Sequence, residues 1–409
     1  MLDLIKTLDP ANGLARGWQI RPPDPGLPLW SLAVDIGGLA ARGQAVDEYP
    51  LHTVGAFGVS RADTMTRAAG EAVERYALFP ARPGPAAVTA SAVELGPAGL
   101  DFAGYALGDP AVRDQRMRWY EGHWLETGRP VWVPAALVDY PLHDLSFDPT
   151  PSGAAAGPTL DFAVRGGLVE VIERDAVGVA WAAERALGEF DVEQEIAAAR
   201  PTADWRHLTR LYRAALGQGL RPRLIRVPTL PGFHGVMAAV LDGDALAAVG
   251  AKAHENLGRA LLIALQESLQ IREALTRLRD DWGGVADAPD VVHDDMDRAR
   301  LWLTEAATTE LKRRLRDVPP VRPGAASQPP LALDELVAAV AADGGSPVAV
   351  DLTARLPEAH RAMGWHAAKV IVAGYQSLRM DERHQFTWQR ARLAAAGAAV
   401  PGSFPHPLI

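Results

Sequence analysis

The chain has 409 residues, of which 48% are hydrophobic and 22% charged, the balance of an ordinary globular protein long enough for one large α/β unit or two to three subdomains. Its net charge of -9 argues against a general nucleic-acid binder, and the absence of cysteine excludes disulfides, thiolate metal sites and a cysteine nucleophile. No basic N-terminal region leads into a sustained apolar stretch and no run approaches about 18 apolar residues, so a soluble cytoplasmic protein with no signal peptide and no membrane span is expected.

Residues 1–60 mix prolines with short apolar runs such as 29–36 and read as extended strands and turns. Gly55-Ala56-Phe57-Gly58 reads as a glycine turn before a helix that starts near Ala62 or Asp63, with Met65, Ala69, Ala72, Tyr76 and Phe79 as its apolar stripe. Prolines from Pro80 to Pro85 stop it. A mixed segment over 86–150 holds a strand candidate at 132–138. The small-residue stretch 152–157 then reads as a loop, with Thr159 or Asp161 capping the helix that follows. Strands are expected over 220–227, 236–241, 347–353 and 367–373, and a long helix over about 254–279. Residues 318–330 form a proline-rich connector, and the proline-spaced tail 401–409 is extended.

Two helices carry the same phrase, Glu-x-apolar-Glu-Arg-x-Ala, at Glu71–Ala77 and Glu170–Ala176. Residues three apart share a helix face. Val164, Leu168, Val171 and Ile172 therefore mark one side of the second helix, and Glu170, Glu173 and Arg174 the other. On the third helix Glu267 and Gln270 pair in the same way, while Arg272 lies about 200° round from Gln270. Mg²⁺ on nucleotide phosphates takes oxygen ligands from one or two carboxylates, and Arg75 and Arg174 suit phosphate oxygens. Solvated helix faces are the competing reading of the same pattern. Asp294-Asp295-Met296-Asp297 is a weaker cation candidate, and His254-Glu255-Asn256 reads as capping chemistry. No P-loop, Gly-x-Ser-x-Gly or His-Glu-x-x-His motif occurs.

These two phrases, with Ala264–Arg272, Arg279-Asp280-Asp281, Asp351-Leu352-Thr353 and Pro405-His406-Pro407 in that order, resemble the YcaO family, and within it the cyclodehydratase D proteins of thiazole/oxazole-modified peptide pathways. The resemblance implies an α/β fold of mixed sheets that binds ATP between its helices without a P-loop. It implies Mg²⁺ held by Glu71, Glu74, Glu170 and Glu173, with Arg75, Arg174, Glu267, Gln270 and Arg272 around the nucleotide. It further implies that Cys, Ser or Thr of a precursor peptide is cyclised to an azoline. The tail would reach the site, so that His406 or the Ile409 carboxylate helps to move protons. Thioamide or amidine formation, or a scaffold without activity, are the alternatives. No leader-binding module is visible, so a separate leader-peptide-binding protein is the expected partner, and a homodimer stays open. The expected division is an N-terminal region, 1–60, suited to partner docking, and a catalytic domain, 61–409. Two positions depart from the family pattern: Phe57 stands where a lysine is common, and Phe162 where a glutamate is frequent. Asp161 is the neighbouring acid, but one helical residue turns a side chain ~100°.

Overall fold

The computed structural model describes residues 2–24, 26–37, 53–80, 83–142, 144–184, 188–241, 246–284, 287–324, 329–398 and 404–409. In chain order, β1 (Gly17–Arg21), β2 (Trp30–Asp35) and β3 (Thr53–Gly58) precede helix α1 (Arg61–Leu78). Next come β4 (Ala87–Ala90), β5 (Met117–Trp124), β6 (Pro130–Pro134) and β7 (Ala154–Gly157), followed by α2 (Leu160–Ala182). After β8 (Gly188–Glu189) come α3 (Ala203–Gly217), β9 (Arg223–Val227), β10 (His234–Leu241), β11 (Ala247–His254) and α4 (Leu257–Asp281). The chain continues through α5 (Asp295–Trp302), α6 (Glu305–Leu315), α7 (Leu333–Ala342), β12 (Ser346–Asp351) and β13 (His366–Ala373).

The strands pair into three sheets: β1-β2-β3, β11-β10-β9-β8, and β4-β5-β12-β13-β7 with β6 beside β5. Every named pairing is antiparallel. Helix α2 lies between the two larger sheets, touching β7 and β13 on one side and β10 and β11 on the other. That position explains its composition, since Val164, Leu168, Val169, Ile172, Ala176 and Val177 are all buried. The helix is covered nearly all round, and Glu173 retains only 2% exposure. A solvated outer face is therefore ruled out for this helix. Helix α1 packs on β2, β3 and β7, and α4 packs on β10, β11 and α3.

Capping residues set the helix starts. Ser60, Thr159 and Asn256 accept from the backbone N–H groups of Asp63 (3.2 Å), Phe162 (3.1 Å) and Arg259 (2.9 Å). Asp294 caps α5 by accepting from Asp297 N at 2.8 Å, and Asp295 accepts from the Tyr140 hydroxyl at 3.3 Å. The acidic cluster at 294–297 is thus a helix start.

Two local expectations change, and one strand is unforeseen. Residues 55–58 belong to strand β3, and the stretch expected as a loop at 152–157 contains β7, whose Ala154 pairs with Lys369 and Gly157 with His366. Strand β11 has no alternation to betray it because six of its eight residues are buried. A strand covered on both faces reads as a continuous apolar run. The described part of residues 1–60 shares a core with α1 and the largest sheet, through Leu8, Leu14, Leu32, Val34 and Ile36. Thr7 is tied to the distant His360–Trp365 segment by the Trp365 indole N–H, 2.8 Å from its hydroxyl. Part of the connector runs beside β8: Glu189 N donates to Pro319 O and Val321 N to Glu189 O, each at 2.8 Å. Residues 325–328 of the connector and 401–403 of the tail lie outside the described residues. Among the described residues no helix is long and apolar enough to cross a membrane.

Candidate nucleotide site

The three carboxylate-bearing helices meet because small residues let them approach. A Cβ on Gly167 would lie 2.3 Å from the Gly153 carbonyl oxygen, so α2 rests against the turn before β7, where Gly153 has φ +85. This contact brings Glu170 to Ser152, whose hydroxyl donates to it at 3.3 Å. On the far side Gly250 lets β11 press onto α4. Between them opens a cleft of about 930 Å³, walled by α1, β7, α2, β11, α4 and the end of the tail.

Glu71, Glu74 and Arg75 from α1, Glu170, Glu173 and Arg174 from α2, and Glu267 and Gln270 from α4 all line this cleft. Arg67, Lys252 and Ile409 join them. Five carboxylates here crowd together at the edge of the protein interior. Burial holds Glu71 above the usual carboxylate range, although Arg75 and Arg67 pull it down. Burial and the Glu170 charge hold Glu74 well above it. Burial, followed by the charge of Glu173, pushes Glu267 up to about 7. Burial opposes the charges of Arg75 and Arg174, yet the neighbouring glutamates outweigh it and raise both.

Most pairings in the cleft are loose. Arg75 lies 3.9 Å from Glu71 and 3.8 Å from Glu74, Arg174 lies 3.6 Å from Glu170, and Arg67 lies 3.8 Å from Glu267. These separations exceed hydrogen-bond length. Correspondingly, the buried Nε atoms of Arg67, Arg75 and Arg174 have no hydrogen-bond partner among the described residues. Buried guanidinium donors are normally satisfied, so three unsatisfied ones around one cleft fit an oxygen-rich ligand such as a polyphosphate. No group of three His, Asp or Glu side chains among the described residues is arranged to hold a metal by itself. The carboxylate pairs instead suit an ion that also takes phosphate oxygens, as Mg²⁺ on a nucleotide does.

Two lysines, one on the cleft wall and one behind it, escape motif reading. Lys252, on β11, places Nζ 2.8 Å from Glu173 Oε2. Lys369, on β13, is 1% exposed and donates from Nζ to the Thr150 and Ser152 carbonyl oxygens, each at 2.6 Å. Burial brings its pKa down to about 8, against the opposing pull of Glu170 and Glu74. A signal was available: the chain has only four lysines, and these two interrupt otherwise apolar strands.

Other expected residues fall elsewhere. Arg272 is not on the cleft wall, in keeping with its angle from Gln270. His406 is buried away from the wall; its Nε2 lies 2.7 Å from Arg379 O, and its Nδ1 accepts from Leu408 N at 3.3 Å. Burial, then the charge of Arg298, holds the ring well below the ordinary histidine range. With both nitrogens committed to backbone, His406 anchors the tail, and Leu408 and Ile409 enter the cleft from it. Phe57 packs beside the α3–α4 cluster, and its carbonyl accepts from Gln266 Nε2 at 2.7 Å. Phe162 lines the cleft with 58% exposure, whereas Asp161 is exposed and off the wall.

A family model described as YcaO cyclodehydratase, ATP- and Mg²⁺-binding, matches residues 55–376. The chain belongs to the YcaO family. The family's description names ATP and Mg²⁺ as what its members bind and cyclodehydration as their activity. No curated protein matches the chain. Among solved structures, a heterocyclase in complex with substrate and cofactor is 18% identical with a TM-score of 0.73, covering 99% of this chain and 56% of its own. The chain thus spans just over half the length of that heterocyclase. YcaO from Methanopyrus kandleri, bound with AMPPCP and Mg²⁺, is 20% identical with a TM-score of 0.66, covering 99% and 93%. The Escherichia coli microcin synthetase McbBCD complex with pro-MccB17 bound matches at 16% identity and a TM-score of 0.62, covering 88% of each chain. At these identities the likeness shows a shared YcaO fold.

Proposed function

We propose that this chain modifies the backbone of a ribosomal peptide, cyclising Cys, Ser or Thr to thiazoline or oxazoline. The observation that supports the reading is the cleft itself, lined by two Glu-x-x-Glu-Arg arms and by three buried arginine Nε donors without a hydrogen-bond partner among the described residues. Bound Mg²⁺-ATP would supply the chemistry by phosphorylating the oxyanion formed when the side chain attacks the preceding carbonyl, so that phosphate becomes the leaving group. The residues of this chain have the remaining tasks of positioning and neutralising charge. Glu71 and Glu74 from one arm and Glu170 from the other would hold the ion, and Arg67, Arg75 and Arg174 would donate to phosphate oxygens. Glu267 and Gln270 close the wall on α4. The other end of the cleft, with Leu2, Leu4, Phe162 and Trp365, is apolar and suits side chains of a peptide. Ile409 reaches the same space and is the tail residue placed to influence proton movement, with His406 holding it there. A separate protein would present the leader of the precursor peptide; the similar microcin synthetase McbBCD is itself a complex, with pro-MccB17 bound.

Calorimetry with Mg²⁺-ATP tests the reading, comparing wild type with Glu74→Gln and Glu170→Gln. Wild type binds, and each substitution weakens binding by about tenfold or more. A wild-type protein with no affinity for Mg²⁺-ATP would leave a scaffold without activity as the better account. Incubation with a Cys/Ser/Thr-rich precursor, followed by mass spectrometry, separates a thioamide, in which sulfur replaces oxygen, from an azoline or an intramolecular amidine, each of which loses water. Fragmentation that places the loss at Cys, Ser or Thr or at an amine separates these two.

A further inference from the structure

One acidic residue in the cleft differs from the others. Glu71, Glu74 and Glu170 have loose arginine neighbours at 3.6 Å or more. Glu173 is saturated: Oε2 takes Lys252 Nζ at 2.8 Å and the Ala253 backbone N–H at 3.1 Å, and Oε1 faces Arg174 Nη1 at 3.3 Å. A carboxylate with 2% exposure needs such compensation, and here the protein provides all of it. The Lys252 ammonium has three N–H donors, of which one goes to Glu173. Its side chain lines the cleft, so the remaining donors are available to a group bound there. A Cβ on Gly250, two residues along β11 from Lys252 and on the same strand face, would lie 2.6 Å from the Cβ of Glu267. Lys252, Glu173 and Glu267 all line the cleft, so one fixed cation shares this side with two carboxylates.

We infer that Lys252 is a resident cation of the nucleotide site: it occupies the Glu173–Glu267 side in place of a divalent ion and donates to a phosphate oxygen there. Divalent metal is then confined to the Glu71–Glu74–Glu170 side, and Glu173 acts by positioning Lys252. An ammonium tethered to a strand cannot be removed by a chelator, so part of the nucleotide affinity persists at limiting metal. The inference rests on the proposed nucleotide reading of the cleft.

The test counts metal and measures nucleotide affinity in the same samples. Wild type, Lys252→Met and Lys252→Arg are saturated with a non-hydrolysable ATP analogue. Bound Mn²⁺ is then counted by electron paramagnetic resonance, and analogue affinity is measured by calorimetry at limiting and saturating Mn²⁺. Lys252→Met is expected to take up one more Mn²⁺ per nucleotide than wild type, because Glu173 and Glu267 lose their fixed cation. Its affinity at limiting Mn²⁺ should fall about tenfold, the scale of one charge-assisted hydrogen bond, and recover at saturation. Lys252→Arg should keep the wild-type count. If the methionine variant does not fold, Lys252→Gln, which retains a donor to Glu173 without the charge, carries the same two expectations. Equal Mn²⁺ counts with unchanged affinity at both metal levels would overturn the role of Lys252 while leaving nucleotide binding intact. A wild type that takes up no analogue would overturn the nucleotide reading itself.

Discussion

Arg355→Met removes the support of the α1 arm without touching the cleft. Arg355 is 3% exposed and donates from Nη1 to the Ala77 and Leu78 carbonyl oxygens at 3.1 Å, at the C-terminal end of α1. Its Nη2 donates to Asp139 Oδ1 at 2.6 Å, and Asp139 Oδ2 accepts from the Tyr120 hydroxyl at 2.9 Å. Methionine fills similar space but strands a buried carboxylate and takes its donor from the Ala77 carbonyl, while Leu78 O keeps the Tyr140 N–H at 3.1 Å; the change should cost about 3–5 kcal/mol. Protonation of Asp139 limits that cost. Burial already raises its pKa, with Arg355 as the main force lowering it. In the variant the folded pKa rises further above the unfolded one, so the folded state binds the proton more readily, and stability falls as pH rises through the folded value. Denaturant unfolding followed by circular dichroism should therefore show a larger loss at about pH 8 than at about pH 5. Adding Asp139→Asn should recover part of the loss. A loss below about 1 kcal/mol, or one that shrinks with rising pH, would refute the reasoning.

Gly250→Ala would set a Cβ 2.4 Å from Ser268 N and 2.6 Å from Ala264 O, both backbone atoms, so β11 and α4 must separate. Thermal unfolding should report about 1–3 kcal/mol of destabilisation. Lys369 is held to about pKa 8, below its ordinary 10.5, so its proton is disfavoured in the folded state. Relative to Lys369→Met, wild type should gain stability as pH rises from about 8 to about 10.5 and lose that gain as pH falls back, which unfolding at several pH values measures. His406→Gln cannot match both backbone bonds of the ring and should free the tail, so limited proteolysis near residue 404 should accelerate along with any fall in turnover. A turnover loss with unchanged proteolysis would show that the ring has a chemical role.

The two carboxylate arms were legible because helix geometry converts sequence spacing into a shared face, and Glu-x-x-Glu-Arg occurs twice. Their confinement was not. Glu173 looks like any polar position on α2, and β11, eighty residues away in sequence, supplies the Lys252 and Ala253 groups that engage its Oε2. Strand β11 was hidden by its own burial, since alternation vanishes when both faces are covered. Reading 152–157 as a loop failed because small residues there serve close packing: β7 pairs with β13 while Gly153 lies under α2. The resemblance of the tail puts His406 among the groups that could move protons, and the Arg379 carbonyl that holds its ring is a contact local spacing does not reveal.

The sparse lysines give the chain an unusual response to amine-directed chemistry. Lys6 and Lys312 are exposed, Lys369 is enclosed, and Lys252 stands at the cleft with its side chain 23% exposed. Mild acylation thus has one informative target among the four side-chain amines, and the extent of its labelling registers whether the cleft is filled. Coupling to a solid support through surface amines, by contrast, would engage Lys6 and Lys312 and leave the cleft open to solution.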